Sequence, residues 1–192
     1  MFAYCENNPV MFTDPEGTCR HAWYLLWLGD CKECKAKYEV KYDVPLYKQG
    51  DLKLCWAFCE TMIESFRNDE KLSQKKATAR AKDIAVSVNG KAEWNRGNWP
   101  TNLGEKIKVS DINDLFDIVS NNGPVYAYYA NNSGNAHLVV VTGVNLKKGI
   151  VYTNNPWGVR GKQTFSEFSS GVACRRNQTD MDMEFIHIYL AE

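Results

Sequence analysis

The sequence predicts an α+β fold in which helices pack on an antiparallel sheet. Apolar side chains at helical three- and four-residue spacings all precede Gly123, and runs rich in Val, Ile and Tyr with turns between them follow it. The chain has 192 residues with 12% aromatic content, including six Trp and ten Tyr. That suits a packed core, since a chain of about 150 residues buries close to 70% of its unfolded surface.

The elements follow in order. In residues 1–17, Asn7-Asn8-Pro9 and Asp14-Pro15-Glu16-Gly17 are turn signals around the short apolar run Val10-Met11-Phe12, a unit too small to fold alone. Residues 18–44 read as a connecting segment with an aromatic run and then alternating charges. Leu54 to Phe66 places Cys55, Cys59, Met62, Ile63 and Phe66 on one helical face. A polar helix is expected at about 69–88, with Lys75, Lys76, Arg80 and Lys82 on a solvated face. Ser110 is expected to cap a helix from Asp111 to about Ser120, which Asn121-Asn122-Gly123-Pro124 ends. Val125–Tyr129, His137–Val144, Gly149–Thr153 and Glu184–Leu190 then read as strands.

Composition excludes several functions. The 23 basic and 23 acidic side chains cancel, unlike the strongly basic balance of an electrostatic nucleic-acid binder. No apolar run approaches the roughly 20 residues that span a bilayer, and no signal peptide is visible. The seven cysteines, Cys5, Cys19, Cys31, Cys34, Cys55, Cys59 and Cys174, are odd in number and irregular in spacing, so a disulfide scaffold is not expected. Cys19, His21, Cys31 and Cys34 make a short, irregular set, and reduced thiols or an adventitious disulfide are a better reading of them than a zinc site. Trp23, Tyr24 and Trp27 read as packing residues.

Cys55 opens the amphipathic helix, where the macrodipole is expected to lower a thiol pKa. Gln49, six residues earlier, carries an amide able to donate to a developing oxyanion. His137 begins the most apolar strand, and Asn155 follows just beyond the next one. Adjacent strands can bring those two side chains together. Asn154 is the alternative partner, but the spacing to Trp157 favours Asn155. Cys59, one turn into the helix, reads as core, and His187, in a strand apolar on both faces, as a satisfied core histidine.

Gln49-Gly50 followed after four residues by Cys55-Trp56, then Gly123-Pro124-Val125, His137 and Asn155-Pro156-Trp157-Gly158, resembles the papain-like cysteine peptidases. The resemblance implies a papain-like fold over residues 45–192. It implies Cys55 as nucleophile, His137 as general base and acid, Asn155 as its orienter, Gln49 as oxyanion donor, Trp157 as a shield, and no cofactor or metal. The short interval between Cys55 and His137, and Pro156 in place of the family's Ser, are more like the compact bacterial relatives, such as bacteriocin-leader peptidases and papain-like toxin domains.

Residues 1–17 resemble the end of the shell-forming core of Rhs/YD-repeat proteins, after which the variable segment is commonly a toxin. Together the resemblances imply the toxin domain of an Rhs effector, secreted by a specialised system within a larger protein and acting in the cytoplasm of a target bacterium. They imply a protein substrate, a cognate immunity protein and contact with the rest of the Rhs shell. Proteolysis and Gln or Asn deamidation share the nucleophile and remain open. Self-processing, transglutamination and an inert binding module are the alternatives, and a cell-wall amidase is disfavoured because Leu54, not Asp, precedes Cys55.

Overall fold

The computed structural model describes residues 38–89, 104–131, 135–171 and 184–191. The sequence features at residues 1–37 lie outside the described residues, as does Cys174. The fold is α+β: a seven-stranded antiparallel sheet with helices on both faces.

In chain order the elements are β1 (Glu39–Lys41), α1 (Cys55–Arg67), α2 (Gln74–Asn89), β2 (Lys106–Ile107), α3 (Ile112–Asn122), β3 (Val125–Ala130), β4 (Ala136–Asn145), β5 (Ile150–Asn155), β6 (Val159–Thr164), α4 (Phe165–Ser169) and β7 (Glu184–Tyr189). The strand order is β2-β7-β3-β4-β5-β6, and β1 pairs with β4. Strand β3 pairs with β4 from Ala136 to Val141, and β1 takes the same edge from Gly143 to Asn145. The register with β5 slips between Val141 and Gly143, a bulge at Thr142. Gly143 permits the approach of β1: a Cβ there would meet the Val40 carbonyl and lie 2.8 Å from the Lys41 Cα.

Strand alternation divides the core into two layers. Tyr126, Leu138 and Val140 pack under α1 with Leu54, Phe58, Met62 and Ile63. Val125, Ala127, Tyr129, Val139 and Val141 pack on the opposite side with Leu115 and Val119 of α3 and Phe168 of α4. Burying each large side chain contributes about 1.5–3 kcal/mol, so β4, apolar on both faces, ties the layers together. Ala77, Ala81 and Ala85, one turn apart, are fully buried where α2 joins the core with α1. Helix α1 ends where Asp69 adopts a φ of 50° and the Glu70 N–H reaches the Ser65 carbonyl at 2.8 Å.

Five details differ from the sequence expectation. Asp111, not Ser110, caps α3, because its side chain accepts from the N–H groups of Asn113 and Asp114. Strand β1 lies in a charge-alternating stretch expected to connect, and β2 is two residues long. Strand β6 is largely exposed and polar at the sheet edge, so it lacks apolar alternation. Helix α4 was not expected, although Thr164 and Glu167, which form its capping box, are a readable start signal.

Candidate active site

Cys55 is the first residue of α1, and Leu54 before it supplies no side-chain cap. The first-turn N–H groups are therefore left for other acceptors. The backbone polar groups of Leu138, of Trp56 and of Cys55 itself favour the thiolate form of the Cys55 sulfur. One turn later, the Cys59 thiol donates to the Leu138 carbonyl at 3.3 Å. The Leu138 carbonyl thus ties α1 to the start of β4, and Cys55 and Leu138 share one buried cluster. The next residue back on that strand is His137.

His137, Asn155 and Cys55 are all buried. The His137 Nε2 lies 3.0 Å from Asn155 Oδ1. The Trp157 backbone N–H also points at that atom, at 3.0 Å. A backbone N–H can only donate, so the atom is the amide oxygen and His137 Nε2 must carry its proton. Nδ1 is then left with a free lone pair. The Trp157 indole stacks on the imidazole with centroids 4.2 Å apart and an interplanar angle of 22°. The Asn155-Pro156-Trp157-Gly158 turn closes with Gly158 N–H on the Asn155 carbonyl at 2.9 Å, and Gly158 supplies the φ of 87° that this turn requires.

Asn154 and Asn155 diverge as successive strand residues must. Asn154 donates to the carbonyls of Val44 at 2.9 Å and Pro45 at 3.4 Å. It therefore holds the segment leading to Gln49, and Asn155 holds His137. Gln49 is drawn to the same turn through its own N–H, which donates to Pro156 O at 2.7 Å. Its amide oxygen is buried without a partner. Tyr47 and Lys48, just before it, are bonded to Leu72 and Gln74. No signal in the sequence pointed to Leu138, which acts through its backbone, or to Gln74, whose side chain bonds the backbone of Lys48.

Burial sets the protonation of this pair. It pushes the Cys55 thiol up to about 11, against the backbone hydrogen bonds that favour the thiolate. It also pulls His137 down to about 4, against the Asn155 bond that favours the imidazolium. The lowered thiol pKa expected from the helix terminus is thus reversed: the site rests as thiol and neutral imidazole. Such an arrangement can pass a proton from sulfur to Nδ1 when a substrate arrives.

Two further expectations resolve. Cys59 is core, fully buried. His187 is buried, stacked on Tyr128 at 5.0 Å and edge-on to Tyr189 at 4.6 Å, but neither nitrogen has a partner, so it is not a satisfied core histidine. Among the described residues, no group of three or more His, Cys, Asp or Glu is placed to hold a metal, and no helix is long and apolar enough to cross a membrane.

The model of the family described as papain-like cysteine protease AvrRpt2 matches residues 38–173. No curated protein matches the sequence.

Proposed function

The chain belongs to the papain-like cysteine protease AvrRpt2 family and is a thiol hydrolase, and from that premise we propose that it cuts amide bonds of a target-cell protein with Cys55, His137, Asn155 and Gln49. The observation that carries this reading is the His137 Nε2–Asn155 Oδ1 bond of 3.0 Å beside the buried Cys55 thiol.

The chemistry follows from the tautomer. His137 Nδ1 takes the thiol proton, and the sulfur attacks the substrate carbonyl carbon. The carbonyl electron pair moves onto oxygen, where the Cys55 N–H and the Gln49 amide donate to it. The new imidazolium is held by Asn155 and shielded by Trp157. Collapse of the tetrahedral species expels the amine, which leaves with the proton from Nδ1. Water, deprotonated by the same nitrogen, then hydrolyses the thioester. Peptide cleavage and side-chain deamidation differ only in which amine departs.

In this reading the catalytic domain is the toxin of an Rhs effector. Residues 1–17 are the end of the shell-forming core, and the connector that follows gives way to the toxin domain by Glu39, where β1 joins the sheet. The domain is secreted within the larger protein, acts in the cytoplasm of a competing bacterium, and is neutralised in the producer by an immunity protein. The support for this context is the Asn-Pro and Asp-Pro-Glu-Gly pattern at the start of the chain.

Proteomics of cells expressing the wild type or Cys55→Ala tests it. New peptide termini, or Gln-to-Glu and Asn-to-Asp conversions, are expected only with wild type, and new cross-links would point to transglutamination. Equal toxicity of the two proteins at equal expression would remove the enzymatic reading in favour of an inert binding module. A parent chain cut near residues 18–44 only when Cys55 is present would identify self-processing.

A further inference from the structure

We infer that Gln74, at the start of α2, is a positioning residue for the oxyanion site, acting through the Lys48–Gln49 peptide unit. This rests on the role of Gln49 proposed above. The Gln74 side-chain amide bridges one residue of the distant loop in both directions: Lys48 N–H donates to Gln74 Oε1 at 3.0 Å, and Gln74 Nε2 donates to Lys48 O at 2.7 Å. The pairing reproduces a rung of a β-ladder, with a carboxamide in place of a second strand.

The Lys48 carbonyl belongs to the same peptide plane as the Gln49 N–H, which donates to Pro156 O at 2.7 Å. That plane is therefore held at both ends, by Gln74 on one side and by the Asn155–Gly158 turn on the other. Its orientation sets the direction of the Gln49 Cα–Cβ bond. The Gln49 amide oxygen, buried without a partner, adds no hydrogen bond to that control. Gln74 itself is locked: its Nε2 reaches Thr78 Oγ1 at 3.2 Å, and the Thr78 hydroxyl donates to the Gln74 carbonyl at 2.9 Å. The Lys48 side chain also covers Gly158, where a Cβ would lie 3.1 Å from its Cδ. Helix α2 thereby reaches the nucleophile's oxyanion site without touching substrate.

Two reactions of Cys55 in the full chain separate positioning from general support. Acylation by p-nitrophenyl acetate builds an oxyanion, whereas alkylation by iodoacetamide occurs at a tetrahedral carbon and builds none. Each rate is corrected with Cys55→Ala for the other thiols. Removing one oxyanion donor costs on the order of a hundredfold, and a displaced donor retains part of that, so Gln74→Ala is expected to slow acylation roughly tenfold. Alkylation is expected to stay unchanged. Gln74→Glu, which keeps the acceptor for the Lys48 N–H and loses the donor to its carbonyl, is expected to fall between. In a Gln49→Ala background, Gln74→Ala is expected to add nothing. Equal slowing of both reactions, or a full additional loss in the Gln49→Ala background, would overturn the inference. If Gln49→Ala alone leaves acylation unchanged, the reading of Gln49 as donor fails first, and the positioning role fails with it.

Discussion

The His137 imidazole donates from Nε2 to Asn155 Oδ1 across 3.0 Å, and the same oxygen accepts the Trp157 N–H at 3.0 Å. One acceptor therefore fixes the tautomer of the base and the turn that carries the ring covering it. Asn155→Ala removes both restraints and leaves the His137 and Trp157 N–H groups without their acceptor, and loss of the fixed imidazole is expected to lower kcat/KM roughly tenfold to a hundredfold. Asn155→Asp keeps an acceptor at that position and is expected to retain more activity than the alanine variant. Asn154→Ala frees the Val44 and Pro45 carbonyls, so it should lower the urea midpoint with a smaller effect on the chemistry. Steady-state kinetics and urea titration of the three variants check the division. An Asn154→Ala defect in kcat/KM larger than that of Asn155→Ala would reverse it.

Trp157 sets the pH range of the base. Burial holds His137 at about 4, and the stacked indole is part of that burial. Below this value the imidazole is already protonated and cannot take the thiol proton, so the acid limb of kcat/KM is expected near pH 4. Trp157→Ala admits water to the ring, which stabilises the imidazolium and moves the limb up toward the ordinary 6.5. Activity near pH 5 should then fall more than activity at pH 7.5. A pH–rate profile whose acid limb does not move would show that the indole contributes no desolvation.

The proposed catalytic set was legible in the sequence because covalent thiol chemistry calls for particular residue types in a fixed order, and Gln49, Cys55, His137 and Asn155 stand in that order. Strands β3, β4, β5 and β7 were legible for a similar reason, since each is apolar enough to show its pairing. Strands β1 and β6 were not. Their pairing comes from backbone groups at a sheet edge, and their side chains face solvent too often to alternate. The Cys55 pKa was misread because a helix terminus can be seen in sequence, whereas the burial under α1 and β4 cannot. The Gln74 bridge spans 26 residues and its partner atoms on Lys48 are main-chain groups common to every residue, so no pattern announces it.

His137 and Cys55 each contribute to the pH dependence of stability. His137 is depressed from 6.5 to about 4, so between those values the unfolded chain binds a proton that the folded chain refuses. Stability therefore falls as pH drops through that window, by up to about 3 kcal/mol. Cys55 is raised from 9.0 to about 11, so above 9 the unfolded chain releases a proton that the folded chain keeps. Stability falls again as pH rises through that range, by a similar amount. Urea midpoints should show a plateau from about 6.5 to 9. Cys55→Ala is expected to flatten the alkaline side, and His137→Gln to shrink the acid one. An unchanged alkaline limb in Cys55→Ala would assign it to other groups.

Gly143 is where β1 joins the sheet. Its Cβ would collide with the Val40 carbonyl and the Lys41 Cα, both backbone atoms that cannot rotate away. Gly143→Ala is expected to destabilise the protein by about 1–3 kcal/mol, the usual range for overpacking, and to raise amide exchange along 39–41. Exchange confined to other strands would place the strain elsewhere.

His187 makes the opposite prediction. Its ring packs against Tyr128 and Tyr189, but both nitrogens are buried without partners, and burial holds it neutral with a pKa of about 4. A buried polar group without a hydrogen bond costs on the order of 1–3 kcal/mol, and an aromatic ring of similar shape lacks that cost. His187→Phe keeps the stack and removes both orphan nitrogens, so it should raise the urea midpoint at pH 7. The gain should be larger at pH 5, because His187 is another group that the unfolded chain protonates before the folded chain does. A lower midpoint at both pH values would mean that the imidazole has a polar role the ring contacts do not reveal, whereas a gain at pH 5 alone would trace its cost to ionisation.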